Sequence, residues 1–440
     1  MDLTTITLQN PWWKDPTAIE RDSKVLVVAN STPQYSYKFK DQNLLILGPR
    51  QAGKTTFLKL AMRDLIADKG INPRNIIFLS CDLASNREEI LQALQIFEEQ
   101  ADKKSKRYIF LDEISFIKDW NILILGLFNS GFLDDKRIYL TGSSSASLLK
   151  ETFPGRDLVR VVFLPLQFRD YFNLFYGSLE VRGTRDLTDI AEFYKTSLEL
   201  MPYIDDLNKA LLEYVQSGGL LAPSYRLQKN KEDPLESLFE TYRDASISDI
   251  AKLERSQKFF REVTGVLISS YASRISANSI AQNTSIGSHK TVESYLELME
   301  QLFLIRTVYL KRNGKTMYRS NRKIYFTDPF IYRVLKLHTT GSSSFRENEE
   351  SKMIEGIVGV HLLNLGREVH YLHSKNGKEV DFAVDNICVE VKWANRDTRD
   401  LHCDRGYLLT KSAIPKIMGE KASIPLSIFL YSCSASNPLR

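Results

Sequence analysis

Cysteine is scarce in this sequence, with four residues in 440, at Cys81, Cys388, Cys403 and Cys433. No two of them stand in a C-x-x-C pair, which argues against both a zinc ribbon and a disulfide framework and leaves them as buried or inert thiols. Long apolar runs are missing as well: no uninterrupted stretch approaches the length that spans a bilayer. The opening Met1-Asp2-Leu3-Thr4-Thr5 has neither the basic nor the apolar region of a secretory signal. No membrane role is expected, and the cytoplasm is the expected compartment. The excess of one charge sign is small: a net charge of +5 over this length does not identify a nucleic-acid partner. Any argument for DNA has to come from local features. Nothing points to disorder, because 43% hydrophobic and 26% charged residues are the proportions of an ordinary globular protein.

What is present begins with Gly48-Pro49-Arg50-Gln51-Ala52-Gly53-Lys54-Thr55, a match to G-x-x-x-x-G-K-[ST]. The apolar run Leu44-Leu45-Ile46-Leu47 precedes it, and a helical pattern that starts at Thr56 follows. Strand, loop and helix in that order make a phosphate cradle. Glycines let the backbone wrap closely, so its N–H groups and the helix N-terminus face phosphate oxygens. Lys54 then reaches the terminal phosphates and Thr55 ligates Mg²⁺. Upstream, Trp12-Trp13 could cover an adenine or pack the N-terminal segment on the core, and packing is the favoured reading.

Short apolar runs at 76–79, 108–111, 138–140 and 159–164, several of them separated by helical patterns, give an α/β chain with a buried parallel sheet. Ligands bind such sheets at the carboxyl ends of the strands. Asp112-Glu113 ends the second of those runs. Asp112 suits the Mg²⁺ shell, and Glu113 suits orientation or deprotonation of the attacking water. Thr141-Gly142-Ser143-Ser144-Ser145 ends the next strand, with Ser143 the preferred γ-phosphate sensor.

Together with Pro154-Gly155-Arg156 and Leu164-Pro165-Leu166-Gln167-Phe168-Arg169, these motifs resemble the AAA+ type ATPases of archaea and bacteria that carry a C-terminal restriction-endonuclease-like domain of unknown function. The resemblance covers nearly the whole chain. It implies ATP and Mg²⁺ as cofactors, and a strand added between the phosphate-loop strand and the Asp112 strand. It also implies ring-like self-association, in which an arginine of one subunit, here Arg156 or Arg169, completes a neighbour's site.

Residues 171–255 read as a helical lid and connector, with Ser217-Gly218-Gly219 as a helix stop. Helical spacing at 260–267, 277–282 and 290–302, a turn at 285–288, and alternating runs at 305–310 and 317–326 predict a winged helix-turn-helix. Its recognition helix would start at His289-Lys290-Thr291, and Lys311, Arg312 and Lys315 at the wing tip would grip phosphates beside Lys290. The alternative is a packing or subunit-contact module, since Glu293, Glu297 and Glu300 would repel DNA from a shared face.

A linker at 339–344 leads to the last segment, where Glu355 lies on a helix and strands at 379–384 and 387–393 flank Asp385-Asn386. A two-residue hairpin there sets Val384 against Ile387 and, counting outward, Asp381 against Glu390, with Lys392 on the same face. Opposed carboxylates destabilise a hairpin unless a cation lies between them, so a divalent-metal site is expected. By resemblance to restriction-endonuclease-like nucleases, Asp381 and Glu390 would ligate Mg²⁺, Lys392 would steady the attack and Glu355 would support the metal.

The expected organisation is an ATPase core at 1–170, a helical lid at 171–255, a winged helix at 256–338 and a nuclease-like domain at 345–440. Within the core, Gly48 to Thr55 and Thr56 bind nucleotide, Thr55 and Asp112 serve the metal, and Glu113, Lys54, Ser143 and Arg156 act in hydrolysis. Two functions fit: an ATPase coupled to DNA binding, with or without Mg²⁺-dependent cleavage, or a regulatory NTPase switch for protein assembly with a catalytically silent nuclease-like module.

Overall fold

The computed structural model describes residues 1–143, 153, 155–181, 186–229, 235–346, 349–373, 378–393, 401–411 and 413–435. Two compact units emerge among the described residues: one comprises Met1–Leu164 with Gln301–Phe303, the other Pro165–Glu300 and 304–435.

The first unit is built on a parallel sheet of β1 Leu44–Leu47, β2 Ile76–Ser80, β3 Arg107–Asp112, β4 Lys136–Gly142 and β5 Val159–Val162, in the order β2-β3-β4-β1-β5. Every neighbouring pair is parallel. β4 is the strand that the resemblance expects between the phosphate-loop strand and the Asp112 strand. The four-residue run of β1 is buried throughout, as is β3, which is why both read as continuous apolar runs rather than alternating ones. Trp12 and Trp13 pack: both indole Nε1–H groups donate to the Ile76 carbonyl, at 3.1 and 2.8 Å.

In the second unit, helices Phe168–Tyr176, Ile190–Leu200, Ile204–Ser217, Leu221–Lys229 and Glu236–Lys252 come first. The third stops where its glycines predict. A Cβ on Gly218 would lie 1.9 Å from Asp328 Oδ1, and the Gly219 N–H donates to Asp328 Oδ2 at 2.7 Å. The helix Gln257–Ser269, the two-residue β6 Arg274–Ile275, and the helices Ala277–Gln282 and His289–Gln301 then precede a hairpin, the order expected of a helix-turn-helix and hairpin.

The hairpin differs in one respect. β7 Ile305–Arg312 returns only through the two-residue β8 Lys315–Thr316, and the chain leaves the ladder before β9 Arg322–Phe326. A turn closed by the Ser320 N–H on the Met317 carbonyl, 3.1 Å, interrupts the run that the sequence alone reads as one strand.

β10 Val369–His373, β11 Glu379–Val384, β12 Ile387–Lys392, β13 Gly406–Thr410, β14 Lys416–Met418 and β15 Lys421–Pro425 continue the same ten-stranded sheet, ordered β14-β15-β13-β12-β11-β10-β7-β9-β6 with β8 on β7. The join is the parallel pairing of β10 with β7, His370 against Tyr309 and Tyr371 against Leu310. Strands on both sides of the 339–344 segment thus share one hydrogen-bonded layer.

Cysteine behaves differently from expectation. Cys388 and Cys403 form a disulfide, whereas Cys81 and Cys433 are buried free thiols. The pair lies 15 residues apart in sequence and is brought together by the return of the chain toward β13, a tertiary event with no local signature. Among the described residues, no helix is long and apolar enough to cross a membrane.

Candidate functional site

The loop after β1 is shaped by its glycines. A Cβ on Gly48 would sit 2.3 Å from the Phe163 carbonyl oxygen, so only glycine fits there. Gly53 holds φ +94° immediately before the helix Lys54–Arg63. That helix directs Lys54 back across the loop, where the buried ammonium donates to the Gly48 and Pro49 carbonyls, both 2.9 Å, and to Ser143 Oγ at 3.2 Å.

Glu113 stands 3.8 Å from the same ammonium. Both of its oxygens are occupied: the Ser143 N–H donates to Oε2 at 3.0 Å and the Ser143 hydroxyl to Oε1. Its backbone takes φ +56°, unusual for a residue with a side chain, and its N–H donates to Thr141 Oγ1 at 2.9 Å. Burial pushes the Glu113 carboxyl up, but Lys54, then Arg50 and Ser143, more than offset this and hold it below its ordinary value. Asp112 goes the other way, raised chiefly by burial with the Glu113 charge adding to it. Adjacent carboxylates are thereby separated in character, the pattern expected where two acids have different roles.

Thr55 Oγ1 donates to Asp112 Oδ2 at 2.8 Å, and Thr141 Oγ1 donates to Oδ1. This hydroxyl-and-carboxylate pair at the head of a helix fits a hard divalent cation such as Mg²⁺. The phosphate loop, Asp112, Glu113 and Ser143 are therefore brought together. Arg156 lies elsewhere on this unit as an exposed guanidinium bonded to Asn129. Ser144, Ser145 and Pro154 fall outside the described residues. Arg169 is engaged within its own unit. Its Nε donates to the Tyr431 carbonyl at 2.5 Å and its guanidinium also to the Ser432 carbonyl, capping the helix Leu426–Cys433. It is not the free arginine that the sequence allows.

At the second expected site, the hairpin forms as counted, with Val384 against Ile387, Ala383 against Cys388 and Phe382 against Val389. The next step fails. The β10–β11 register slips by one residue between His370↔Ala383 and Leu372↔Val380, so Asp381 and Phe382 together face Tyr371. A bulge of this kind turns its extra residue off the alternating face. Asp381 consequently points toward Lys323, 3.4 Å from Oδ1, while Oδ2 accepts the Val391 N–H at 2.9 Å.

Lys323, on β9, is not among the residues that the sequence singles out, although a lysine within the apolar run Lys323-Ile324-Tyr325-Phe326 is the available signal. Its ammonium, with a side chain 1% exposed, lies 2.7 Å from Glu379 Oε1 and 3.0 Å from Glu355 Oε1. The Tyr325 hydroxyl also donates to Glu355, at 2.7 Å. Burial raises the Glu355 carboxyl to about 7, with the Asp381 charge adding and Lys323 opposing.

Glu390 is fully buried and satisfied elsewhere: the His402 N–H donates to Oε1 at 2.7 Å, and His402 Nδ1 bonds Oε2 at 2.8 Å. The Cys388–Cys403 bridge fastens the segment that carries His402 to the strand that carries Glu390. The expected convergence of Glu355, Asp381, Glu390 and Lys392 on a metal is corrected by this geometry. Glu355 and Asp381 meet around an ammonium, and Glu390 is held by a histidine. Among the described residues, no group of three or more His, Cys, Asp or Glu side chains is placed to hold a metal ion.

Of the expected DNA contacts, Lys290, Arg312 and Lys315 are exposed and Lys311 half-buried. Glu293 does not stand unopposed on its helix, because Arg322 pairs with it through two guanidinium nitrogens.

Residues 40–172 match the family described as AAA domain, and residues 208–342 match a domain of unknown function (DUF8612). An uncharacterized protein of Haemophilus influenzae is 24% identical over 376 residues, 82% of this chain and 84% of the relative. Another, of Methanocaldococcus jannaschii, is 27% identical over 409 residues, 87% of this chain and 80% of the relative. Among solved structures, the Aeropyrum pernix ORC1 protein in complex with DNA overlays with TM-score 0.34 and 13% identity, over 73% of this chain and 92% of that one. AMPPCP-bound DnaA from Aquifex aeolicus gives TM-score 0.26 and 16% identity, over 65% and 88%. Overlays this loose transfer no role. The domain match agrees with the parallel sheet, the phosphate loop and the paired acids at the end of β3: residues 40–172 form a P-loop ATPase domain of the AAA type.

Proposed function

We propose that the chain hydrolyses ATP and couples the nucleotide cycle to DNA, which a winged helix in residues 256–338 would grip. The observation that carries this reading is the network joining Lys54, Ser143 and Glu113 beside the Thr55–Asp112 pair. Bound through Thr55 and the Asp112 water shell, Mg²⁺ would neutralise charge developing on the transferred phosphoryl group. Lys54 would exchange the loop carbonyls for phosphate oxygens. Ser143 would turn its hydroxyl to the γ-phosphate and so release Glu113 to align and deprotonate water. Hydrolysis would thus begin only when nucleotide draws Ser143 and Lys54 away from the carboxylate. An arginine from a second copy, Arg156 being the exposed candidate, would complete the site in a ring.

For the nuclease-like domain at 345–440, the reading supported best is a binding module without cleavage, because Glu390 is occupied by His402 and the other acids by Lys323. The test is steady-state ATP turnover with Mg²⁺ on duplex, single-stranded and branched DNA. Wild type should turn over and be stimulated by DNA, whereas Glu113→Gln and Lys54→Ala should not turn over. Tight ATP binding by Lys54→Ala would refute the site assignment. Turnover indifferent to every DNA form would favour a regulatory switch that governs protein assembly.

A further inference from the structure

Between Glu300 and Asp328 the chain has no acidic residue but has Arg306, Lys311, Arg312, Lys315, Arg319, Arg322 and Lys323. Arg322 and Lys323 are buried and paired, with Glu293 and with the carboxylates described above. Lys311, Arg312, Lys315 and Arg319 have no ion-pair partner among the described residues, and the last three are exposed. In their midst stands Tyr318, 67% exposed, beside Met317 at 37%. The exposed ring offers a flat apolar face to water.

The ring does not stand alone. Tyr318 meets Tyr309 edge to face, with centroids 5.1 Å apart. The Arg322 guanidinium lies 5.6 Å from the Tyr309 ring and is fixed by Glu293 of the helix His289–Gln301. On the other side, β7 is fixed by its parallel pairing with β10. The aromatic pair is thus supported from the helix His289–Gln301 and from the sheet, and exposed cations flank Tyr318 along the chain. Flat apolar area offered at fixed height within positive charge is what a nucleobase with its flanking phosphates fits. In a continuous duplex the base faces are covered by their neighbours, and only backbone and groove edges are presented.

We propose that Tyr318 stacks an unpaired base of single-stranded DNA, while Arg312, Lys315 and Arg319 hold the phosphates on either side. The inference rests on the DNA reading above and names the form of DNA. The test is fluorescence anisotropy of the full-length protein with labelled oligo(dT) and with a fully paired blunt-ended duplex of matched charge. Tyr318→Ala should weaken oligo(dT) binding at least about 10-fold and leave the duplex within about twofold, while Tyr318→Phe should behave as wild type. Because the side chain is largely exposed, these variants should fold, which a melting curve checks. An Arg312→Ala/Lys315→Ala protein should weaken both DNA forms and flatten their salt dependence. Wild-type binding to DNA that Tyr318→Ala leaves unchanged, or reduces equally on duplex, would overturn the stacking site alone. No binding to either form would overturn the DNA reading with it, and tighter binding of oligo(U) than oligo(dT) would overturn the assignment to DNA.

Discussion

Replacing Lys323 by Met removes one buried charge while keeping most of the side-chain volume. The ammonium serves Glu355, Glu379 and Asp381 at 3.0, 2.7 and 3.4 Å, and its side chain is 1% exposed. Breaking a buried ion pair from one side costs about 3–5 kcal/mol because the partner charge stays behind. At roughly 2–4 °C per kcal/mol for a unit of this size, the melting temperature at pH 8 should fall by roughly 10 °C. The pH dependence distinguishes this cause from a simple packing defect. In wild type, Glu355 is raised from 4.5 to about 7, so the folded state holds its proton more tightly than the unfolded chain does. Ionising it therefore costs stability as pH climbs from 4.5 through about 7, a loss of about 3 kcal/mol at 1.36 kcal/mol per unit.

The Lys323 charge itself is constant across that window, since its pKa is raised above an already high ordinary value and the charge is lost only in strong alkali. Without Lys323, which is one of the influences that lower Glu355, the carboxyl moves higher still. The variant should lose more stability than wild type between pH 5 and pH 8, and its deficit should shrink toward pH 5, where protonation of Glu355 removes one of the three carboxylate charges left without their ammonium. Calorimetric melts at the two pH values measure this. An equal deficit at both would refute the electrostatic account and leave only lost packing.

Glu113→Gln should retain nucleotide binding while turnover drops about 10²–10⁴-fold. Ser143→Ala should change turnover as well, and a radiolabelled-ATP binding assay beside the turnover assay separates the two effects. Arg169→Ala should destabilise the second unit by about 1.5–3 kcal/mol, the value of charge-assisted bonds to the carbonyls of Tyr431 and Ser432, without altering ATP affinity. Urea unfolding checks the first part and nucleotide titration the second, with an unchanged midpoint counting against the capping role. Gly48→Ala, whose Cβ would meet the Phe163 carbonyl oxygen at 2.3 Å, should lose nucleotide binding through displacement of the loop, and full affinity in equilibrium dialysis would contradict that geometry.

The phosphate loop and the acids at the end of β3 are legible in sequence because their chemistry is local. Adjacent positions in a strand-loop-helix unit must supply the donors, so the residues appear adjacent in the chain. The helices Ala277–Gln282 and His289–Gln301 follow in the same way from apolar spacing. Asp381 shows where such counting fails. Alternation from the Asp385-Asn386 turn is correct for the pairs through Phe382, and then a bulge demanded by the third strand, β10, rotates the next residue. That demand comes from a partner that the hairpin does not contain. Lys323, His402 and the Cys388–Cys403 bridge are illegible for a related reason: each acquires its role from a segment distant in sequence. Arg169 reads as a surface arginine in a motif because its acceptors lie 262 and 263 residues away.

The parallel bond between β7 and β10 bears on how this chain can be divided in the laboratory. The polar segment at 339–344 invites truncation there, to isolate a small DNA-binding fragment. Cutting at that point would strip β10 from β7 and bare a row of unpaired amides and carbonyls on a strand that is interior in the intact sheet. It would also leave Lys323 charged at a newly wetted surface, without Glu355, Glu379 and Asp381. A fragment ending there is an aggregation template, and a soluble dissection of this protein has to keep β6 through β15 in one piece.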